Sequence, residues 1–205
     1  MASLRVANEE DVSARFQADI SKHQLTILRD DAVNRHLRFR RPATGCMGFD
    51  ILTWAGHLCY TGDMGTWVFS RLQDMFEFFR GEHINPAYWA EKTLAVDRHA
   101  GLSKFSAECF QENVLKELEG VSPDDIERAK DEVLSCAHDG EYRAYDAAIN
   151  FQAGDGSYPM QDFWELNCRE FGFLYLWACH AIQWGIAQYD KAKEGGPPRR
   201  EKGPR

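Results

Sequence analysis

The sequence lacks any CxxC pair, although it holds six cysteines. Structural zinc sites usually bring their ligands in such repeated pairs, so a zinc-stapled fold is disfavoured. It also lacks any run near the roughly 20 apolar residues that a membrane helix needs. Its first residues, MASLRVANEEDVS, contain no apolar signal core. These absences lead us to expect a cytoplasmic protein, with no membrane partner and with free, mostly buried thiols. Neither GxxxxGK[ST] nor GxGxxG occurs, which removes the two common phosphate-binding loops. GxSxG is absent too, and with it the nucleophile elbow. Positive charge is in deficit: 24 Lys and Arg against 32 Asp and Glu leave a net charge of −8, which disfavours wholesale nucleic-acid binding.

What is present suits a globular chain. Hydrophobic residues make up 44% and charged residues 27% of 205 positions. A chain of that length buries roughly 70% of its unfolded surface and needs no metal or disulfide to fold. Aromatic residues are in surplus, with thirteen Phe, seven Tyr and six Trp. Such side chains fill cores, and any that reach the surface would form a binding face or a homodimer contact. The charge is uneven. Residues 108–146 hold twelve acidic against four basic residues, whereas RDDAVNRHLRFRR at 29–41 holds five Arg against two Asp. An acidic half beside a basic strand suggests electrostatic steering toward a partner.

Periodicity divides the chain. Val12, Phe16 and Ile20 recur every four residues, which predicts a helix over about 9–22. From 25 to 70 the period becomes two: LTILR, RHLRFRR, MGFDILTW, HLCYT and TWVFS alternate apolar and polar residues between short turns. Leu37 and Phe39 face one way and His36, Arg38 and Arg40 the other. The short links predict an antiparallel meander of four or five strands. Gly62-Asp63-Met64-Gly65 reads as the hairpin bend, with both glycines at positive φ. After residue 70 the pattern is helical. Ser70 to Gln73 forms a capping box and Asn85-Pro86 starts a short helix. Further helices are expected over 103–119, from Ser122 onward and over 141–151. The last, FGFLYLWACHAIQWGIAQYDKAK, is apolar on most sides and should be buried. The expected fold is one α+β domain over 1–193: an N-terminal helix, a meander sheet and a mostly helical C-terminal half. Residues 194–205 should be a disordered basic tail.

Candidate chemistry is sparse. His57 and Cys59 share a strand face, and with Asp50 or Asp63 they supply the residue types of a Cys–His–Asp site. The types alone are common in any chain of this size. No catalytic, cofactor-binding or metal-ligating residue is assigned. Arg35, Arg38, Arg40 and Arg41, with Arg29 and His36, could line a basic stripe on the open sheet face, with Trp54 or Trp67 as a stacking platform. Asp124, Asp125, Glu127, Asp131 and Glu132 mark an acidic helix face.

The segments RHLRFRRP, FDILTWAGHLCYTGDMGTWVFSRLQDMFEFFR and LYLWACHAIQWGIAQYD resemble a group of uncharacterised proteins encoded by tailed bacteriophages and prophages. The similarity covers most of residues 10–192 and carries no catalytic residue to transfer. It implies a context: small acidic phage accessory proteins without an enzyme motif are often inhibitors of host machinery, anti-CRISPR and other counter-defence proteins foremost. The leading expectation is therefore a non-enzymatic inhibitor that binds a host protein or defence complex through the five acidic residues above. The alternative is a nucleic-acid-binding accessory protein that uses Arg35, Arg38, Arg40 and Arg41. A hydrolase or transferase centred on His57, Cys59 and Asp63 comes third.

Overall fold

The computed structural model describes Leu4 and residues 9–194; the tail expected over 194–205 lies outside them, Glu194 excepted. The fold is α+β, with an N-terminal helix, an antiparallel sheet and a helical C-terminal half. Within the predicted 1–193 span the chain forms two compact units. One comprises Ser103–Phe171, the other residues 9–102 and 172–194.

The larger unit opens with α1 (Glu9–Ile20), whose Val12, Phe16 and Ile20 are all buried, as their spacing predicts. Six strands follow in sequential order, all antiparallel: β1 (Gln24–Asp31), β2 (Asn34–Arg40), β3 (Phe49–Trp54), β4 (His57–Gly62), β5 (Gly65–Ser70) and β6 (Thr93–Ala95). The sixth strand exceeds the expected four or five. It is three residues long, too short to show a period. Between β5 and β6 run α2 (Met75–Phe79) and α3 (Pro86–Ala90). The predicted capping box at Ser70–Gln73 is wrong. Ser70 ends β5, and Asp74 caps α2 by accepting from the Phe76 amide. Asn85 caps α3 with Pro86 at the first position, as expected.

Alternation decides the two sheet faces. Leu37, Phe39, Phe49, Ile51, Leu58, Tyr60, Trp67 and Phe69 point to one side and are fully buried there. The long helix α7 (Phe173–Glu194) covers that side. Its Trp177 meets Phe49 edge-on at 5.7 Å, Trp184 lies 5.3 Å from Phe39, and Tyr175 lies 5.9 Å from Trp67. Gly185 brings the helix backbone close to the sheet, where an added Cβ would meet Ile51 and Phe39. Phe16 of α1 packs on Trp177 from the other side at 5.0 Å. Among the described residues no helix is long and apolar enough to cross a membrane.

The smaller unit pairs β7 (Ser103–Phe105) with β8 (Arg169–Phe171) antiparallel. The sequence pattern places 103–105 at the start of a helix; three residues are too few for period to separate strand from helix. Between the two strands come α4 (Ala107–Glu117), α5 (Pro123–Glu132), a 3-10 turn at Leu134–His138, α6 (Glu141–Asn150) and a second 3-10 turn at Phe163–Glu165. Ser122 caps α5 and accepts from the Asp125 amide, the strongest start signal in the sequence. Phe110, Val114, Ala129, Val133, Ala144, Ala148 and Phe163 form this unit's own core.

Candidate functional site

The predicted arginine stripe does not form as expected. Arg35 sits in register with Leu37 and Phe39, so its side chain takes the α7 side of the sheet. There both terminal nitrogens donate to Asp74 at 2.8 Å, and its guanidinium lies 4.4 Å above the Phe76 ring. His36, Arg38 and Arg40 do share the opposite face, but they converge on one carboxylate. His36 Nε2 lies 2.6 Å from Asp50 Oδ2, and Arg38 and Arg40 nitrogens reach Asp50 at 3.0 and 2.8 Å. Arg40 also donates to the carbonyls of Phe39 and Phe49. The arginine strand is thus engaged largely within the protein. Arg41 follows β2 and is exposed.

Asp50 is buried. Burial pushes its carboxyl pKa up, but hydrogen bonds from Arg38 and His36 and the charges of Arg40 and Arg38 outweigh that and hold it below the usual value. A depressed folded-state pKa stabilises the fold above the unfolded value near 3.8, and that stabilisation is lost as pH falls through the folded value. Asp50→Asn should therefore cost about 2 kcal/mol at pH 7, since the guanidinium partners keep partial access to water, and clearly less at pH 3. Urea melts at the two pH values check this; an equal cost at both would show that the carboxylate charge is not what Asp50 contributes.

His57 and Cys59 do share a face, the one opposite α7, and both are half-buried. They do not engage each other. The His57 ring stacks on Trp54 at 5.0 Å, with its Nδ1 beside the Ala55 carbonyl. The Cys59 thiol donates to the Tyr60 carbonyl, and burial pushes its pKa up, away from the thiolate a nucleophile needs. Asp63 is exposed at the hairpin turn. Among the described residues no group of three His, Cys, Asp or Glu is placed to hold a metal ion.

The five acidic residues of α5 divide by role. Asp125 is buried and accepts from Ser122 Oγ at 2.7 Å, Arg128 at 2.9 Å and the Gly154 amide at 2.9 Å. It ties the start of α5 to the 153–157 loop rather than facing a partner. The Ser122 hydrogen bond is the main reason its carboxyl stays below the usual range. Glu127 pairs with Lys130 and Glu132 with Arg128. Asp124 and Asp131 are exposed and have no ion-pair partner among the described residues.

The feature that sequence reasoning missed lies on α6. Glu141, Tyr142, Tyr145, Asp146, Ile149 and Trp164 line an open, mainly apolar groove of about 780 Å³. Tyr142 is 86% exposed and Trp164 65%, the highest values among the large apolar side chains of the described residues. Spacing explains the groove. Ala144 and Ala148 take the buried stripe of α6, which turns Tyr142 outward and leaves Tyr145 and Ile149 on the shoulder. Tyr145 donates to the Leu166 carbonyl, so its hydroxyl is satisfied while its ring lines the wall. The unit that carries the groove is strongly negative in total. Sixteen of the 32 acidic and six of the 24 basic residues fall in Ser103–Phe171, so this unit carries −10 and the rest of the chain +2. The aromatic surplus signalled a binding face; which rings reach the surface depends on where the core stripe of α6 falls. Compared with known proteins, the chain matches no family model, no curated protein and no solved structure.

Proposed function

We propose that this is a non-enzymatic binding protein whose smaller unit takes a basic segment of a partner protein in the Tyr142–Trp164 groove. One observation carries the reading. The two most exposed large aromatic side chains line a single groove, on the unit that holds more than all of the net negative charge. Water-exposed Trp and Tyr in a concave apolar site are the residue types that anchor protein interfaces. The unit's net negative charge selects a positively charged partner and speeds its approach. Asp124 and Asp131 of the acidic helix serve that steering; Asp125 belongs to the fold. The resemblance to phage and prophage accessory proteins supplies the biological context of the proposal: inhibition of a host nucleic-acid-handling defence complex, whose nucleic-acid groove would be the basic surface.

The test is a loss of binding that follows the groove. A partner is captured from host cells with the intact chain, identified, and titrated against purified variants. Tyr142→Ala/Trp164→Ala should weaken binding about 30-fold, the equivalent of about 2 kcal/mol. Asp124→Lys/Asp131→Lys should slow association and flatten its salt dependence. Trp54→Ala, on the sheet of the other unit, should leave affinity unchanged. A partner that ignores the Tyr142/Trp164 change would refute the proposal.

A further inference from the structure

We infer that the groove is an arginine site: a guanidinium of the partner stacks on Trp164 and Tyr142 and pairs with Asp146. The inference rests on the binding reading above and narrows it to one side-chain chemistry. The protein already holds three of its own arginines in this way. Arg35 lies 4.4 Å over Phe76 and pairs with Asp74. Arg80 lies 5.9 Å from the same ring and pairs with Asp190. Arg128 lies 5.4 Å from Phe151 and pairs with Asp125. Each site combines at least one aromatic ring with at least one carboxylate, which together satisfy a guanidinium's flat face and its in-plane donors.

The groove offers the same two elements to an outside group. Its rings are exposed, and two carboxylates share its lining. Glu141 already pairs with Arg169 at 2.6 Å. Asp146 accepts only from Asn150 among the described residues and has no cation there. A guanidinium is planar and weakly hydrated, so it can enter an apolar groove face-on and still reach Asp146. An ammonium is compact and strongly hydrated, and gains less from the rings. The geometry therefore favours arginine over lysine at equal charge.

The experiment uses the full chain and three acetylated, amidated pentapeptides that differ only at the central residue: arginine, lysine or citrulline, each flanked by glycines. The tryptophan indole N–H signals are followed by NMR, with the Trp164 signal assigned from Trp164→Phe. The arginine peptide should shift that signal and bind at least fivefold tighter than the lysine peptide. Citrulline, which keeps the shape and loses the charge, should bind at least fivefold more weakly than arginine, and Asp146→Asn should erase the difference between them. Equal arginine and lysine affinities, both abolished by Trp164→Ala, would overturn the arginine assignment and leave the basic-partner reading standing. The arginine assignment also fails if no peptide perturbs Trp164 while the captured partner still depends on it. A captured partner indifferent to Trp164 and Tyr142 would defeat the binding reading itself.

Discussion

Gly62→Ala is expected to lower the stability of the larger unit by about 3 kcal/mol, although glycine to alanine in a strand usually helps. Gly62 is the last residue of β4 and pairs with Phe49 on one side and Gly65 on the other. It is on the α7 face of the sheet, in register with Leu58 and Tyr60. A Cβ there would meet the Gly48 carbonyl oxygen and come within 2.7 Å of Phe49 Cα and Cβ. Two of these three atoms are backbone, one in β3 and one in the residue before it, so neither can yield by a rotamer change. Relief requires β3 to move, and Phe49 is fully buried against Phe39, Tyr60 and Trp177. Five of the six tryptophans lie in this unit, so a urea melt followed by tryptophan fluorescence reads it directly. Gly56→Ala makes a useful contrast. That glycine has φ of +79° and nothing within 4 Å of its Cβ, so its cost should be the backbone strain alone, about 1 kcal/mol. Equal costs at the two sites would show that close approach does not constrain Gly62.

Asp74→Ala should also cost about 3 kcal/mol, through two losses at once. The carboxylate caps α2 by accepting from the Phe76 amide at 3.0 Å, a contribution of about 1 kcal/mol. It also neutralises Arg35, whose side chain is only 10% exposed and is held between Phe76 and Tyr189. Without Asp74 that charge stays largely desolvated and unpaired, which dominates the cost. The double variant Arg35→Leu/Asp74→Asn removes the charge and keeps a capping oxygen, so it should recover at least half of the loss. Failure to recover would mean that Arg35 contributes through packing rather than charge. The Arg35 hydrogen bond is the main cause that lowers the Asp74 pKa, so the stabilisation is present above pH about 4 and fades as pH falls through the folded value.

Both sites depend on neighbours that sequence pattern does not reveal. Gly62 and Gly65 look alike in the sequence, two glycines flanking a bend. Only Gly65 has positive φ, +119°; Gly62 and the central turn residues Asp63 and Met64 do not. Gly62 is glycine because two strands approach closely, and that is a property of the pairing. Met64, at the tip by its position, is buried. Arg35 looks like a member of a basic stripe with Arg38 and Arg40. Strand alternation alone separates it from them, whereas its partner Asp74 lies 39 residues away and could not be named in advance.

Elements whose signals are local and repeated were legible in the amino-acid order. The α1 stripe, the period-two strands from Leu25 to Ser70, the Ser122 and Asn85 caps and the apolar α7 all follow from side-chain spacing and capping chemistry, which neighbours along the chain supply. Folding set the rest, because those outcomes depend on partners far away in sequence. It chose which charges are consumed: three basic groups on Asp50, and Asp125 in its own loop. It separated the −10 unit from the remainder, where composition showed only a skew. It also left Tyr142 and Trp164 in water together, from positions 22 residues apart, because the core of the smaller unit was filled by Ala144, Ala148, Phe110 and Phe163 instead.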